Sequence, residues 1–192
     1  MSSGHSAIAV RSATEADLED IAAMVQHFVA GHPAENHPRP LARLREAYFG
    51  EKPVANLLVA TRGDRVVGMG QWRLIYDMFW SMFGGEIGWL YVRPDSRGLG
   101  IPLALVTEIC RQVRLAGGEH LHGGAEPDET ASLYKRLAVG WPSHTVYLSA
   151  EAFQICADLA GRSPREIVRN LPDAKLNYEP AHPRNTAVGP VS

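Results

Sequence analysis

The sequence predicts an α/β domain, and three observations carry that prediction. The first is a strand, a glycine-bearing turn and a helix in immediate succession over residues 86–113, EIGWLYVRPDSRGLGIPLALVTEICRQV. The second is the order in which β-favouring runs and helix-period runs alternate up to residue 149, βααβββαβαβ. The third is size: 192 residues, 45% of them hydrophobic, suffice for one sizeable core, and neither a repeat nor a linker divides them.

Ala7 to Arg11 is a short strand. Thr14 to Asp17 supplies an N-cap and acidic first-turn residues for a helix, along which Leu18, Ile21, Val25, Phe28 and Val29 keep helical spacing up to Gly31. The segment Gly31 to Pro40 carries three prolines and two histidines and is a loop, after which Leu41, Leu44 and Tyr48 mark a second short helix. Asn56 to Thr61 and Arg65 to Leu74 are strands joined by Arg62-Gly63-Asp64, a hairpin signal. The next stretch, Ile75 to Phe83, is apolar and aromatic where a hairpin connection is ordinarily polar. It is expected to be buried, either as core or as a homodimer contact through Tyr76 to Phe83, or else to form an apolar wall for a substrate.

In the central unit, Ile87, Trp89, Leu90, Tyr91 and Val92 form a β-favouring run that Arg93-Pro94 stops, because Pro94 cannot continue a ladder. Asp95 to Gly100 is the turn. Pro102 suits the first helical position, and Leu103, Val106, Ile109, Cys110 and Val113 then recur on one helical face until Gly117-Gly118. Glu119 to Ala125 is a fifth strand, Thr130 to Leu137 a short helix, and Val146 to Leu148 closes the sheet. Beyond it, Glu151 to Ala160 is helical, and Ser163-Pro164-Arg165-Glu166 is a capping box opening a last helix that ends by Pro172. Residues 1–149 thus form the main domain, 150–172 a helical extension, and 173–192, proline-rich, polar and aperiodic, a tail expected to be disordered.

A formal charge of -2 without a basic stripe argues against nucleic acid as a partner. No apolar span points to a membrane, and MSSGHSA has neither the basic nor the apolar region of an export signal. Cys110 and Cys156 are too few for a disulfide framework and suit a reducing, cytoplasmic setting.

A strand leading through glycines into a helix N-terminus makes an anion site, since unpaired N–H groups and the positive end of the helix dipole point the same way. A nucleotide-binding lysine loop is excluded because no Lys-Ser/Thr pair follows the glycine, and the dinucleotide glycine spacing is absent. What stands there is Arg97-x-x-Gly100, preceded by a Leu-Tyr-Val-x-Pro strand end. This resembles the coenzyme A pyrophosphate loop, R/Q-x-x-G-x-G/A, of the GNAT superfamily, the general amine N-acetyltransferases. Pro102 departs from the last position of that pattern and removes one backbone donor.

The resemblance covers about residues 7–149 and implies a mixed sheet flanked by helices, with the first two helices bordering the acceptor site. It implies acetyl-CoA as acyl donor, with no metal, and an amine on a small molecule or peptide as acceptor. Arg97, Gly98, Leu99, Gly100 and Ile101 then cradle the pyrophosphate, while the backbone of Leu90, Tyr91 and Val92, where the family's central strand bulges and splays, supplies a donor to the tetrahedral oxygen. Attack on the thioester requires a neutral amine and hence a base. Glu86, in Glu-Ile-x-x-x-x-Val, resembles in position the glutamate base of the histone-acetylating branch; its plain alternative is a solvated strand-end carboxylate. His122 and Asp128 compete for the role, and His120-x-His122 lacks the further ligands a metal needs. Tyr134 resembles the tyrosine beside the coenzyme sulfur in A-x-x-L/F-Y-x-x-x-G-F and would protonate the leaving thiolate, although Gly140-Trp141 lies two residues late for the Gly-Phe pair; packing is its alternative. Two other classes fit the same residues: a coenzyme A binding module without turnover, and an interaction protein assembled through the aromatic segment and the C-terminal helices.

Overall fold

The computed structural model describes residues 7–32, 34–78, 81–124, 138–140, 145–148 and 150–171, with backbone alone at 138–140, 145–147 and 150. Seven strands among these form one sheet: β1 (Ile8–Ser12), β2 (Asn56–Arg62), β3 (Arg65–Asp77), β4 (Met82–Val92), β5 (His120–Gly124), β6 (Ala138–Gly140) and β7 (Thr145–Leu148), in the order β1-β2-β3-β4-β5-β7-β6. Only β4 and β5 pair in parallel among them, because the helix α3 (Ile101–Leu115) carries the chain back between the two. The remaining helices are α1 (Leu18–Phe28), α2 (Leu41–Phe49), α4 (Ala150–Asp158) and α5 (Pro164–Asn170). This is the mixed, helix-flanked sheet that the resemblance implies.

Both faces of the sheet are covered, which is why Leu57 to Ala60 of β2 are buried without alternation. Leu57, Val59, Val66, Met69 and Tyr91 pack with Ile21 and Met24 of α1 on one side. Leu58, Ala60, Trp72, Ile87 and Val92 pack under α3 on the other, in a cluster that takes in Phe153, Cys156, Ile167 and Leu171. The C-terminal helices therefore belong to the principal core. Cys110 and Cys156 are free buried thiols, and burial pushes the Cys110 thiol up, with neighbouring Cys156 adding to it.

Three expectations need correction. The apolar segment after Leu74 is strand rather than connection: Leu74↔Gly85, Ile75↔Gly84, Tyr76↔Phe83 and Asp77↔Met82 are paired, so Glu86 stands inside β4 and not at its head. β-Branched and aromatic side chains favour the pleated ladder, and the reversal is confined to the few residues up to Ser81, whose φ is +50°. Nor do the described rings of the segment enter the core of the chain, since Tyr76 and Phe83, like Met78, are mostly exposed. Finally, β6 is a strand that the sequence reading lacked. The expected helix Thr130 to Leu137 lies outside the described residues.

Candidate functional site

The site is set by a discontinuity in β4. Parallel pairing with β5 runs from Gly84↔His120 to Ile87↔Gly123 and ends there, whereas β4 continues to Val92 paired with β3. On the β3 side the register jumps at the same place, from Trp72↔Ile87 to Gln71↔Trp89, leaving Gly88 as the extra residue of a bulge. One bulge thus coincides with the opening of a parallel pair, and the β5-facing edge of β4 beyond Ile87 is left without a strand partner among the described residues. Leu90, Tyr91 and Val92 occupy this stretch, with Leu90 and Val92 turned toward the α3 core and Tyr91 toward α1.

At its end β4 is tied down. Arg93 donates to Asp20 at 2.7 Å and to the Val66 carbonyl at 3.0 Å, so the strand end is fixed to α1 and to β3. Asp95 of the following turn is held by Arg65 at 2.7 Å. The chain then passes through Gly98 and Gly100, with φ of +77° and +74°, conformations that favour glycine, and enters α3 with Pro102 in its first turn. The N–H groups of Gly98, Leu99, Gly100 and Ile101 have no backbone acceptor among the described residues. They sit at the positive end of a 15-residue helix, a fitting cradle for a pyrophosphate, and the exposed Arg97 adds charge beside them. Gly100 is also restricted from another side: a Cβ there would lie 2.3 Å from Cβ of Pro164 at the start of α5.

Glu86 lies on β4 just before the bulge, directly across from Arg73 of β3, whose Nε contacts its carboxylate at 2.5 Å. On its other side it is in register with His122 of β5. Burial pushes the His122 imidazole below its ordinary value, opposed by the charges of Glu86 and Asp77. His120, two residues earlier, is shifted down in the same way, and the two imidazoles meet edge to face at 6.0 Å. Among the described residues no group of three or more His, Cys, Asp or Glu is placed to hold a metal. Tyr134 and Asp128 lie outside the described residues.

A cavity of about 520 Å³ opens on the α1 side of the bulge. Val25 and Phe28 of α1, Tyr48 of α2, Met69 and Gln71 of β3 and Trp89 of β4 line it, with His32 and Arg39 at the loop between the helices. The Phe28 and Trp89 rings stand 4.6 Å apart. Among the described residues no carboxylate lines this cavity. Arg39 donates to the Gln26 amide and to the carbonyls of Ala34, Glu35 and His37, all neutral groups, so its charge remains uncompensated by these partners. None of the described residues from Ile75 to Phe83 lines this cavity. The resemblance implies that the first two helices border the acceptor site, but the spacing of Phe28 and Tyr48 marks them only as helix-face residues and that of Trp89 only as strand, since no local signal tells a residue lining a cavity from one filling a core.

The family model described as "Acetyltransferase (GNAT) family" matches residues 21–138. A ribosomal-protein-alanine N-acetyltransferase from Brucella melitensis biovar Abortus 2308 is similar in fold, with 20% identity and a TM-score of 0.57 over 70% of this chain and 92% of that one. An aminoglycoside acetyltransferase from an uncultured soil metagenomic sample, solved with sisomicin, gives 18% identity and a TM-score of 0.55 over 66% and 84%. An aminoglycoside N-acetyltransferase, AAC(6')-Iy, solved with CoA, gives 18% and 0.56 over 69% and 86%. No curated protein sequence matches the chain.

Proposed function

The chain belongs to the GNAT acetyltransferase family, and from that premise we propose that it moves an acetyl group from acetyl-CoA to the amine of an acceptor with an apolar body. The observation that carries this reading is the meeting of three features at one strand end: the opened β4/β5 pair, the N–H cradle from Gly98 to Ile101, and the apolar cavity beside Trp89. Acetyl-CoA supplies an activated acyl thioester. The cradle and Arg97 hold its pyrophosphate, and the β5-facing edge of Leu90, Tyr91 and Val92 orients the thioester and donates to the carbonyl oxygen.

Transfer from sulfur to nitrogen also requires a proton to leave the ammonium and another to reach the thiolate. Glu86 takes the first, or His122, its neighbour in register, which burial favours in the neutral form able to accept it. Tyr134 supplies the second. The cavity lining favours an aromatic or aliphatic amine over a polycation, since it is largely apolar and none of its described residues is a carboxylate to pair with further ammonium groups.

Melting curves with and without acetyl-CoA, beside thiol release with 2-phenylethylamine and with sisomicin, test the reading. A raised melting temperature and faster release with 2-phenylethylamine are expected. Faster release with sisomicin would overturn the acceptor assignment, binding without any release would favour a coenzyme A module, and no binding would remove the reading altogether.

A further inference from the structure

A second cavity, of about 1030 Å³, lies between the glycine turn and α5. Gly98, Leu99 and Gly100 form one wall, Arg165 and Arg169 of α5 another, and Arg62 at the end of β2 completes it. The peptide groups assigned above to the pyrophosphate therefore share a cavity with three guanidinium groups. Among the described residues no carboxylate lines it. None of these arginines forms an ion pair among the described residues, whereas Arg65, Arg93 and Arg114 are paired with Asp95, Asp20 and Asp158. Glu166, beside Arg165 in sequence and within the field of Arg169, is committed to the cap of α5, accepting from Ser163 N at 3.0 Å and Ser163 Oγ at 2.7 Å.

The helix is seated by its own sequence. The Ser163–Glu166 capping box fixes its first turn, buried Ile167 anchors it to the α3 core, and Pro164 packs against Gly100. Arg165 and Arg169, four residues apart, then lie on one helical face. A phosphomonoester carries close to two negative charges at neutral pH, about -1.5 to -2, and arginine is the side chain best shaped to take it.

Resting on the acetyltransferase reading, we infer that α5 completes the cofactor site: Arg165 and Arg169, with Arg62, bind the 3′-phosphate of coenzyme A while the turn holds its pyrophosphate. The C-terminal helices thus act as part of the nucleotide site as well as of the core.

Calorimetric titration of the full chain with coenzyme A and with 3′-dephospho-coenzyme A tests this without reference to turnover. The wild-type protein should bind coenzyme A roughly 10-fold or more tightly than the dephospho form, the scale of a charge-assisted phosphate contact. The double variant Arg165→Ala/Arg169→Ala, altered only at exposed positions, should lose most of that preference, with Arg62 alone left to the phosphate, and Arg165→Lys/Arg169→Lys should restore part of it. A wild-type protein without preference, or an alanine variant that keeps it, overturns the inference and leaves the acetyltransferase reading standing. If neither nucleotide binds the wild type, both fall together.

Discussion

Glu86 meets Arg73 through one carboxylate oxygen, Oε2, so the pair is either the site's base at rest or a cross-strand tie. Glu86→Gln distinguishes the two: the acidic limb of the pH–rate profile changes and coenzyme A affinity does not. An unchanged profile transfers the role to His122, whose acidic limb should lie below the ordinary imidazole value of 6.5, because burial penalises its charged form; loss of that limb in His122→Ala is the check. Asp17 offers a cleaner residue-level case. Its buried carboxylate accepts from both terminal nitrogens of Arg11 at 2.7 and 2.8 Å and from Thr14 N at 2.8 Å, and the Arg11 bonds foremost hold its pKa down to about 2 from 3.8. A depressed carboxylate pKa stabilises the fold above the unfolded value, and the contribution is lost as pH falls from 3.8 through about 2. Asp17→Asn should therefore cost roughly 2 kcal/mol in urea unfolding at pH 7, with the difference from wild type closing toward pH 2. The acidic first turn was legible from Thr14-Glu-Ala-Asp17; the partnership with Arg11 was not, since it depends on β1 running beside the helix start.

At the scale of elements, the strand, turn and helix around Pro94 and Gly100 were legible because proline and glycine report backbone geometry locally. The bulge at Gly88 followed only from the family resemblance and not from any local residue, because a register shift belongs to two strands at once, and the β3/β4 hairpin was underestimated because an exposed aromatic ladder reads as buried material. Nor does any local signal place α5 against the turn. Gly98 and Gly100 separate that contact from backbone strain, since both have positive φ but a Cβ at Gly98 meets nothing within 4 Å. Gly98→Ala should cost about 1 kcal/mol from the left-handed conformation alone. Gly100→Ala should cost clearly more, because Pro164 must move, and should weaken coenzyme A binding at the same time. Equal losses in chemical denaturation would mean that α5 does not rest on the turn in solution.

For the whole molecule, the sequence separates a main domain from a helical extension, yet the packing joins them. Amphipathic spacing announces that Phe153, Cys156 and Ile167 need cover, but not that α3 supplies it with its second apolar face, a property visible only once α3 is seen to be buried along nearly its whole length. A chain ending at residue 149 would expose that face together with the core beneath it, so it should unfold or aggregate and not behave as an intact smaller enzyme. Because such a loss has several causes, the point substitution decides: Phe153 is fully buried, and Phe153→Ala should cost about 3–5 kcal/mol for the lost transfer energy and the cavity left behind. If α5 also serves the nucleotide site, saturating coenzyme A should recover part of that loss, since a ligand that binds only the assembled form stabilises every element the assembly needs. Denaturant titrations of Phe153→Ala with and without coenzyme A measure both quantities. A loss under 1 kcal/mol would show α4 to be peripheral, and a coenzyme A increment no larger than that of a control ligand lacking the nucleotide would detach the extension from the cofactor.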